Sequence, residues 1–324
     1  MEKSRKAGTM WSGLALGTVA VASFSAYFTT KCLVDAAFNR EPPRLMKHFG
    51  RFIAGSRTDP EFDRQREERA QALSALPHET VRITAHDGET LVGHFFPCPE
   101  PKRLIIAFHG WRSTWFRDFV LCDRFFRESG CSILYAEQRG QNSSGGSHMG
   151  FGLTERFDCA DWVRWGTAHS GEGLPIYLAG ISMGATTVLM AAGTPLPSAV
   201  HGIIADCGFT SPHAIFRHIA HNNLHLFYGL RSQIADLLCR RKLSLGTSAY
   251  STVEALRHNS QIPVLFIHGS DDRFVPVWMT YENYRACAAP KELLIVPGAD
   301  HGISFFVEPE RYQSAVRNFW QKYD

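Results

Sequence analysis

Short apolar runs separated by helical stretches constrain this chain more than any other feature. Arg103–Phe108, Ser132–Ala136, Leu174–Ala179, Val200–Ala205, Pro263–Ile267 and Glu292–Val296 have the length and character of buried strands. Helical stretches lie near Phe116–Glu128, Glu155–His169, Ala185–Ala192 and Glu310–Tyr323. Strands that alternate with helices build a largely parallel sheet covered on both faces. Ahead of them, Glu79–Ala85 and Glu89–Phe96 flank His86-Asp87-Gly88, and Asp-Gly is a strong hairpin signal. The opening pair therefore makes the sheet mixed. The expected fold is α/β, an eight-stranded and mostly parallel sheet with helices on both faces. Between Phe209 and Asn259 the alternation stops and the chain turns helical, over a length greater than a plain connection needs. A helical cap is expected there, at about 209–259.

Gly180-Ile181-Ser182-Met183-Gly184 stands between one of these strands and an Ala-rich helix. A G-x-S-x-G in that setting is a nucleophile elbow, whose glycines leave room for a turn that lifts the serine hydroxyl above the sheet. Serine needs a base to take its proton and a third group to orient that base. Two later strands end in suitable loops, His268-Gly269-Ser270-Asp271-Asp272-Arg273-Phe274-Val275-Pro276 and Pro297-Gly298-Ala299-Asp300-His301-Gly302. Asp271 and Asp272 compete for the acid, and Asp206, which also ends a strand, is a third candidate.

On these motifs residues 79–324 resemble the α/β-hydrolases, in particular serine hydrolases of the lipase, esterase and serine aminopeptidase type. The resemblance implies Ser182 as nucleophile, Asp272 rather than Asp271 as acid, and His301 as base. It implies an oxyanion hole from the backbone N–H groups of Met183 and Trp111, the latter in His109-Gly110-Trp111. It also implies that no metal or organic cofactor is needed. Glu137-Gln138-Arg139-Gly140-Gln141-Asn142-Ser143 is similar to the family's turn after the fourth strand, with Asn142 where glycine is usual. His109 is read as structural.

The chain has 324 residues, 44% hydrophobic and 20% charged, with a net charge of +3. That balance carries no nucleic-acid footprint. Eight cysteines are scattered singly with no metal-ligand spacing, which favours free thiols and a cytosolic face. Residues 7–30 carry no charge, and Trp11 to Thr30 is long enough to span a bilayer, with Lys3, Arg5 and Lys6 ahead of it. The expected organisation is an N-terminal anchor at 1–30, with a cleaved signal or a soluble helix as alternatives. A juxtamembrane connector with an amphipathic surface helix would follow at 31–78, and the hydrolase domain at 79–324. Basic residues flank both ends of the span, so the catalytic side is nearly balanced, with the cytosol slightly favoured.

The expected activity is hydrolysis of a carboxylic ester carrying a moderately apolar, lipid-like acyl group. An aminopeptidase-like amidase would need a cap carboxylate for the substrate amine, with Asp236 and Glu254 available. A thioesterase for coenzyme A substrates would want basic groups such as Arg217, Arg231, Arg240 and Arg241. A non-catalytic binding protein would not need all three triad positions filled. Phe209, Phe216, Leu224, Phe227 and Tyr228 are expected as cap core or acyl-pocket border, and Phe305 and Phe306 invite the same two readings. His213, His218, His221 and His225 are read as cap lining rather than metal ligands.

Overall fold

The computed structural model describes residues 23–46, 59–170 and 173–324. Helix α1 covers residues 23–38 and α2 covers Pro60–Ser74; strands β1 (Glu79–Thr84), β2 (Thr90–Phe96) and β3 (Arg103–Phe108) follow. Then come α3 (Trp115–Phe119), α4 (Asp123–Glu128), β4 (Cys131–Ala136), α5 (Glu155–Ser170), β5 (Ile176–Ile181), α6 (Met183–Ala191) and β6 (Val200–Asp206). The cap region holds α7 (Pro212–His218), a π-turn (Ile219–Asn223), α8 (Gly229–Leu243) and α9 (Thr252–His258). The chain closes with β7 (Val264–Gly269), α10 (Trp278–Ala286), β8 (Lys291–Val296), α11 (Ser304–Val307) and α12 (Pro309–Tyr323).

The eight strands form one sheet in the order β1-β2-β4-β3-β5-β6-β7-β8. Strand β2 is antiparallel to both neighbours, and every other pairing is parallel, as the hairpin followed by alternation predicts. Gly88 turns the hairpin at φ 89°, where glycine costs nothing. Residues on alternate sides of β3 feed two cores. Leu104, Ile106 and Phe108 pack with α5 and α6 on one face, and Ile105 and Ala107 with α4 and α12 on the other. The helix expected at Phe116–Glu128 is two, because a turn at 120–122 returns the Cys122 N–H to the Phe119 carbonyl.

Chain order reverses between β3 and β5, since β4 lies on one side of β3 and β5 on the other. Ligand crevices of open α/β sheets sit at such a switch point, above the carboxyl ends of the strands. His109–Trp111 follows β3 and Ser182 follows β5, so the fold delivers both segments to that crevice.

A third apolar cluster lies above the sheet edge and joins Val34 and Phe38 of α1 with Phe151, Met183, Phe209, Ile215, Ala235 and Leu238. Helices α7 and α8 form the cap proper. Helix α9 belongs to the flanking layer, with Leu256 buried beside Leu189 and Phe266.

Position 31 marks no structural break. The orphan carbonyls at the end of α1 are taken by the loop after β3: Trp111 Nε1 donates to Ala37 O (2.9 Å), and Arg112 donates to Ala36 O (2.7 Å) and Asn39 O (2.6 Å). On the cap side, Lys242 Nζ pairs with Asp35 (2.8 Å). The Met149 N–H bonds to Phe38 O (2.7 Å), and Arg40 Nη1 to Ser144 O (2.6 Å). Where a connector was expected, residues 34–40 are built into the domain. The anchor expected at 1–30 falls largely outside the described residues. Among the described residues no helix is long and apolar enough to cross a membrane, so a transmembrane helix finds no support there.

Candidate active site

Ser182 stands between β5 and α6 at φ 57° and ψ −116°, a positive-φ conformation that a non-glycine residue adopts only under constraint. Its N–H is held by Asp206 O at 2.8 Å. Both elbow glycines are required by close backbone approach. A Cβ on Gly180 would lie 2.5 Å from Ala185 N, and one on Gly184 would run into the Phe108 carbonyl, 2.5 Å from its carbon. Neither obstacle is a flexible side chain. Gly184→Ala is therefore expected to cost about 3 kcal/mol, the upper range of core overpacking. A urea midpoint unchanged by the substitution would show that α6 can lift from β3 without penalty.

The loops after β7 and β8 bring the other two residues to the serine. His301 Nε2 lies 2.9 Å from Ser182 Oγ, and His301 Nδ1 lies 2.7 Å from Asp272 Oδ2. Asp272 is buried, and its Oδ1 accepts the N–H groups of Phe274 (2.9 Å) and Val275 (2.8 Å). A second histidine also faces this carboxylate. His268 Nε2 donates to Val275 O (2.8 Å) and lies 3.2 Å from Asp272 Oδ2, while His268 Nδ1 meets Thr280 Oγ1 (2.6 Å). His268 stood in the motif that located Asp272, but nothing in the local pattern marks it as a support for the acid.

Burial pulls the Asp272 pKa up, but His301 and His268 outweigh it and hold the carboxyl below its ordinary range. For His301 burial acts downward, and the Asp272 charge overcomes it, so the imidazole is raised well above 6.5. Cys207 also faces His301. Burial pushes its own pKa to about 11, so at neutral pH it is an uncharged thiol and the charge facing the imidazole is that of Asp272.

The remaining candidates sort by contact. Asp271 is exposed and accepts from Ser270 Oγ (2.6 Å); it does not reach His301. Asp206 is buried, raised by that burial to about 6, and accepts from Ser304 Oγ (3.2 Å). Met183 is the first residue of α6, where the N–H groups have no partner within the helix. The loop bearing Trp111 closes on the serine, since a Cβ on Gly110 would be 3.3 Å from Ser182 Cβ. Asp118 of α3 holds this loop by accepting from Gly110 N (2.6 Å) and Ser113 Oγ (2.6 Å), and Arg66 of α2 lies 3.7 Å from Asp118. His109 is buried and structural in its contacts: Nδ1 donates to Gly110 O (2.9 Å), so Nε2 accepts from Gln138 N (3.2 Å). Asn142 takes φ 49°, which asparagine tolerates in place of the glycine usual there.

A cavity of about 830 Å³, counted to its open mouth, reaches Ser182. Its walls come from α1 (Thr30, Leu33, Val34, Ala37, Phe38), from Trp111 and Phe151, and from cap residues including Phe209, Phe216, Leu224 and Tyr228. Phe227 instead faces outward, and Phe306 packs on Phe62 with ring centroids 4.2 Å apart. Phe305 packs on Tyr312 at 5.1 Å. Among the described residues no carboxylate lines the cavity, and Arg231 is the one charged residue of its lining. Asp236 is turned into a separate groove, bonded to Arg240 (2.7 Å) and Thr247 N (2.8 Å), and Glu254 is exposed.

Residues 125–323 match the model of the prolyl oligopeptidase family. The chain belongs to that family. It is a serine hydrolase of the α/β-hydrolase fold. A Bacillus subtilis relative, the uncharacterised protein YqkD, is 29% identical over 233 residues, 70% of this chain and 73% of its own. The uncharacterised YfhR of Escherichia coli K12 is 25% identical over 230 residues, covering 69% and 73%. Among solved structures, the Pyrococcus furiosus esterase Pf2001 shares the fold at a TM-score of 0.61 and 22% identity, covering 78% of this chain and 95% of that one. Est1E of Butyrivibrio proteoclasticus, solved with ferulic acid bound, matches at 0.57 and 21% identity, covering 75% and 98%. Helix α1 lies wholly outside the family match.

Proposed function

We propose that this protein hydrolyses carboxylic esters with an apolar acyl group through an acyl-enzyme. Ser182 Oγ attacks the ester carbonyl while His301 Nε2 takes its proton. Asp272 keeps the remaining proton on His301 Nδ1 and stabilises the imidazolium. The oxyanion is held by the Met183 and Trp111 N–H groups. As the carbonyl re-forms, the C–O bond to the alcohol breaks and the alcohol leaves with the proton from His301. Water, deprotonated by His301, then attacks the acyl-enzyme and releases the acid.

The observation that carries this reading is the cavity itself, apolar along its walls, open to Ser182 and, among the described residues, free of carboxylates. An aminopeptidase-like reaction would need an anion for the substrate amine. A family may host several chemistries on one fold, so the site and not the fold decides.

Hydrolysis of p-nitrophenyl esters of increasing acyl length tests the proposal, with medium chains expected to be preferred over acetate. Val34→Phe narrows the α1 wall. It is expected to lower kcat/KM for the decanoate relative to the acetate by about tenfold, the scale of one or two methylenes denied their burial. A length profile that Val34→Phe leaves unchanged would place the acyl group elsewhere. Hydrolysis of aminoacyl amides but of no ester would favour the amidase reading.

A further inference from the structure

Thr30 and Leu33 of α1 and Tyr228 and Arg231 at the start of α8 line the Ser182 cavity on one side. Just outside it stand Phe24, Phe28, Phe227 and Leu230, with 71, 57, 82 and 53% of their surface exposed. Their grouping follows from the contacts around them. The rings of Phe24 and Phe28 stack one helical turn apart, with centroids at 6.4 Å. Arg231 Nη2 reaches Thr29 Oγ1 at 3.5 Å, which brings the first turn of α8 beside Phe28. Phe227 and Leu230 flank Tyr228 and Gly229 in the same turn. Exposed large apolar residues are ordinary when scattered singly, but a contiguous group marks a surface that meets an apolar partner.

Two observations say what that partner is. Residues 7–30 carry no charge, and the part of that stretch from residue 23 on forms the start of α1, with Phe24 and Phe28 exposed on it. Directly beneath the rim, Tyr228 Oη and Arg231 Nε are buried and have no hydrogen-bond partner among the described residues. A lipid monolayer presents acyl chains and, beside them, ester and phosphate oxygens that accept hydrogen bonds. A lipid entering the cavity from such a surface would bring those oxygens past Tyr228 and Arg231, which line it.

We propose that these four residues form a collar that seats on a lipid bilayer, so that the cavity draws its acyl substrate from lipid rather than from water. The second half of this statement rests on the ester-hydrolase reading above; the first does not. Helix α1 then serves two purposes. Its buried face is a wall of the acyl pocket, and its exposed aromatic face meets the lipid, as interfacial helices do.

Two measurements on the full chain test this. Phe227→Trp places a reporter in the collar, and vesicles of phosphatidylcholine brominated along the acyl chains are added. About half of the emission gained over the unsubstituted chain is expected to be lost, relative to unbrominated vesicles, because an interfacial side chain sits at the headgroup–acyl boundary. Added emission that brominated lipid leaves unchanged overturns the collar. Second, the triple variant Phe24→Asp, Phe28→Asp, Phe227→Asp is compared with the unsubstituted chain. Hydrolysis of a long-chain ester carried in phosphatidylcholine vesicles should fall by about tenfold or more, the worth of one aromatic group withdrawn from lipid, with water-soluble p-nitrophenyl butyrate hydrolysed as before. Equal loss on both substrates, or loss on neither, overturns loading from lipid. If the unsubstituted chain cleaves no ester at all, the ester-hydrolase reading fails, and the quenching result still decides the collar.

Discussion

Ser182→Ala is expected to lower kcat on p-nitrophenyl butyrate by about 10⁶-fold, the loss typical when a triad nucleophile is removed. The geometry leaves no substitute. The nearest other nucleophile is Cys207, and burial raises its pKa to about 11, so almost none is thiolate at neutral pH. The fold should survive, because the contact that sets the elbow is the Ser182 N–H to Asp206 O, which alanine keeps. Alanine at φ 57° bears the same backbone strain as serine. The thermal midpoint should therefore stay within a few degrees while activity and labelling by a fluorophosphonate disappear together. Residual activity above about a thousandth of the original would exceed what an oxyanion hole and binding supply alone, and would point to a different nucleophile.

Asp272→Asn should cost about 10⁴-fold in kcat, the scale seen when a triad acid is made neutral. The introduced amide keeps an acceptor for the Phe274 and Val275 N–H groups, so the loop after β7 holds its shape. Its chemistry toward His301 is reversed. An amide N–H facing Nδ1 would place the imidazole proton on Nε2, where it can no longer accept from Ser182. The pH profile gives a second readout whose sign is fixed. Burial lowers the His301 pKa and Asp272 more than restores it, so the folded-state value lies above 6.5. Attack needs neutral His301. Activity of the unsubstituted enzyme therefore rises with pH along a limb above the ordinary imidazole range and is lost as pH falls through it. Removing the Asp272 charge leaves burial unopposed, and the residual activity of the variant should follow a limb moved to lower pH. A limb that stays in place would mean that the observed titration belongs to another group.

The sheet and the grouping of Ser182, Asp272 and His301 were legible because their signals are local. A strand buried on both faces is apolar throughout, as Leu104–Phe108 and Val264–Ile267 are, and no partner need be known to see it. The elbow announces itself through two glycines that must approach backbone, and the order Ser182, Asp272, His301 follows from which strands end in loops bearing an acid or a histidine. The choice of Asp272 over Asp271 came from family resemblance, and the geometry brings Asp272 to His301 while Asp271 faces solvent.

Other features depend on distant parts of the chain meeting. That His268 supports Asp272, that Asp118 holds the loop after β3, and that Phe227 faces out while Phe216 faces in are consequences of tertiary packing. The N-terminal run shows the difference most clearly. Hydrophobicity states only that a segment prefers an apolar surrounding, and lipid and protein interior satisfy that preference equally. Length and lack of charge at residues 7–30 predict a bilayer span, most of which lies outside the described residues, and a connector separate from the domain was expected after it, at 31–78. In the fold, Trp111, Arg112 and Lys242 fasten the end of α1, and Val34 and Phe38 are buried in the domain as a wall of the Ser182 cavity. Those bonds join residues about 75 to 200 positions apart, a separation across which neither periodicity nor composition carries information, whereas tertiary packing satisfies the last carbonyls of α1 directly.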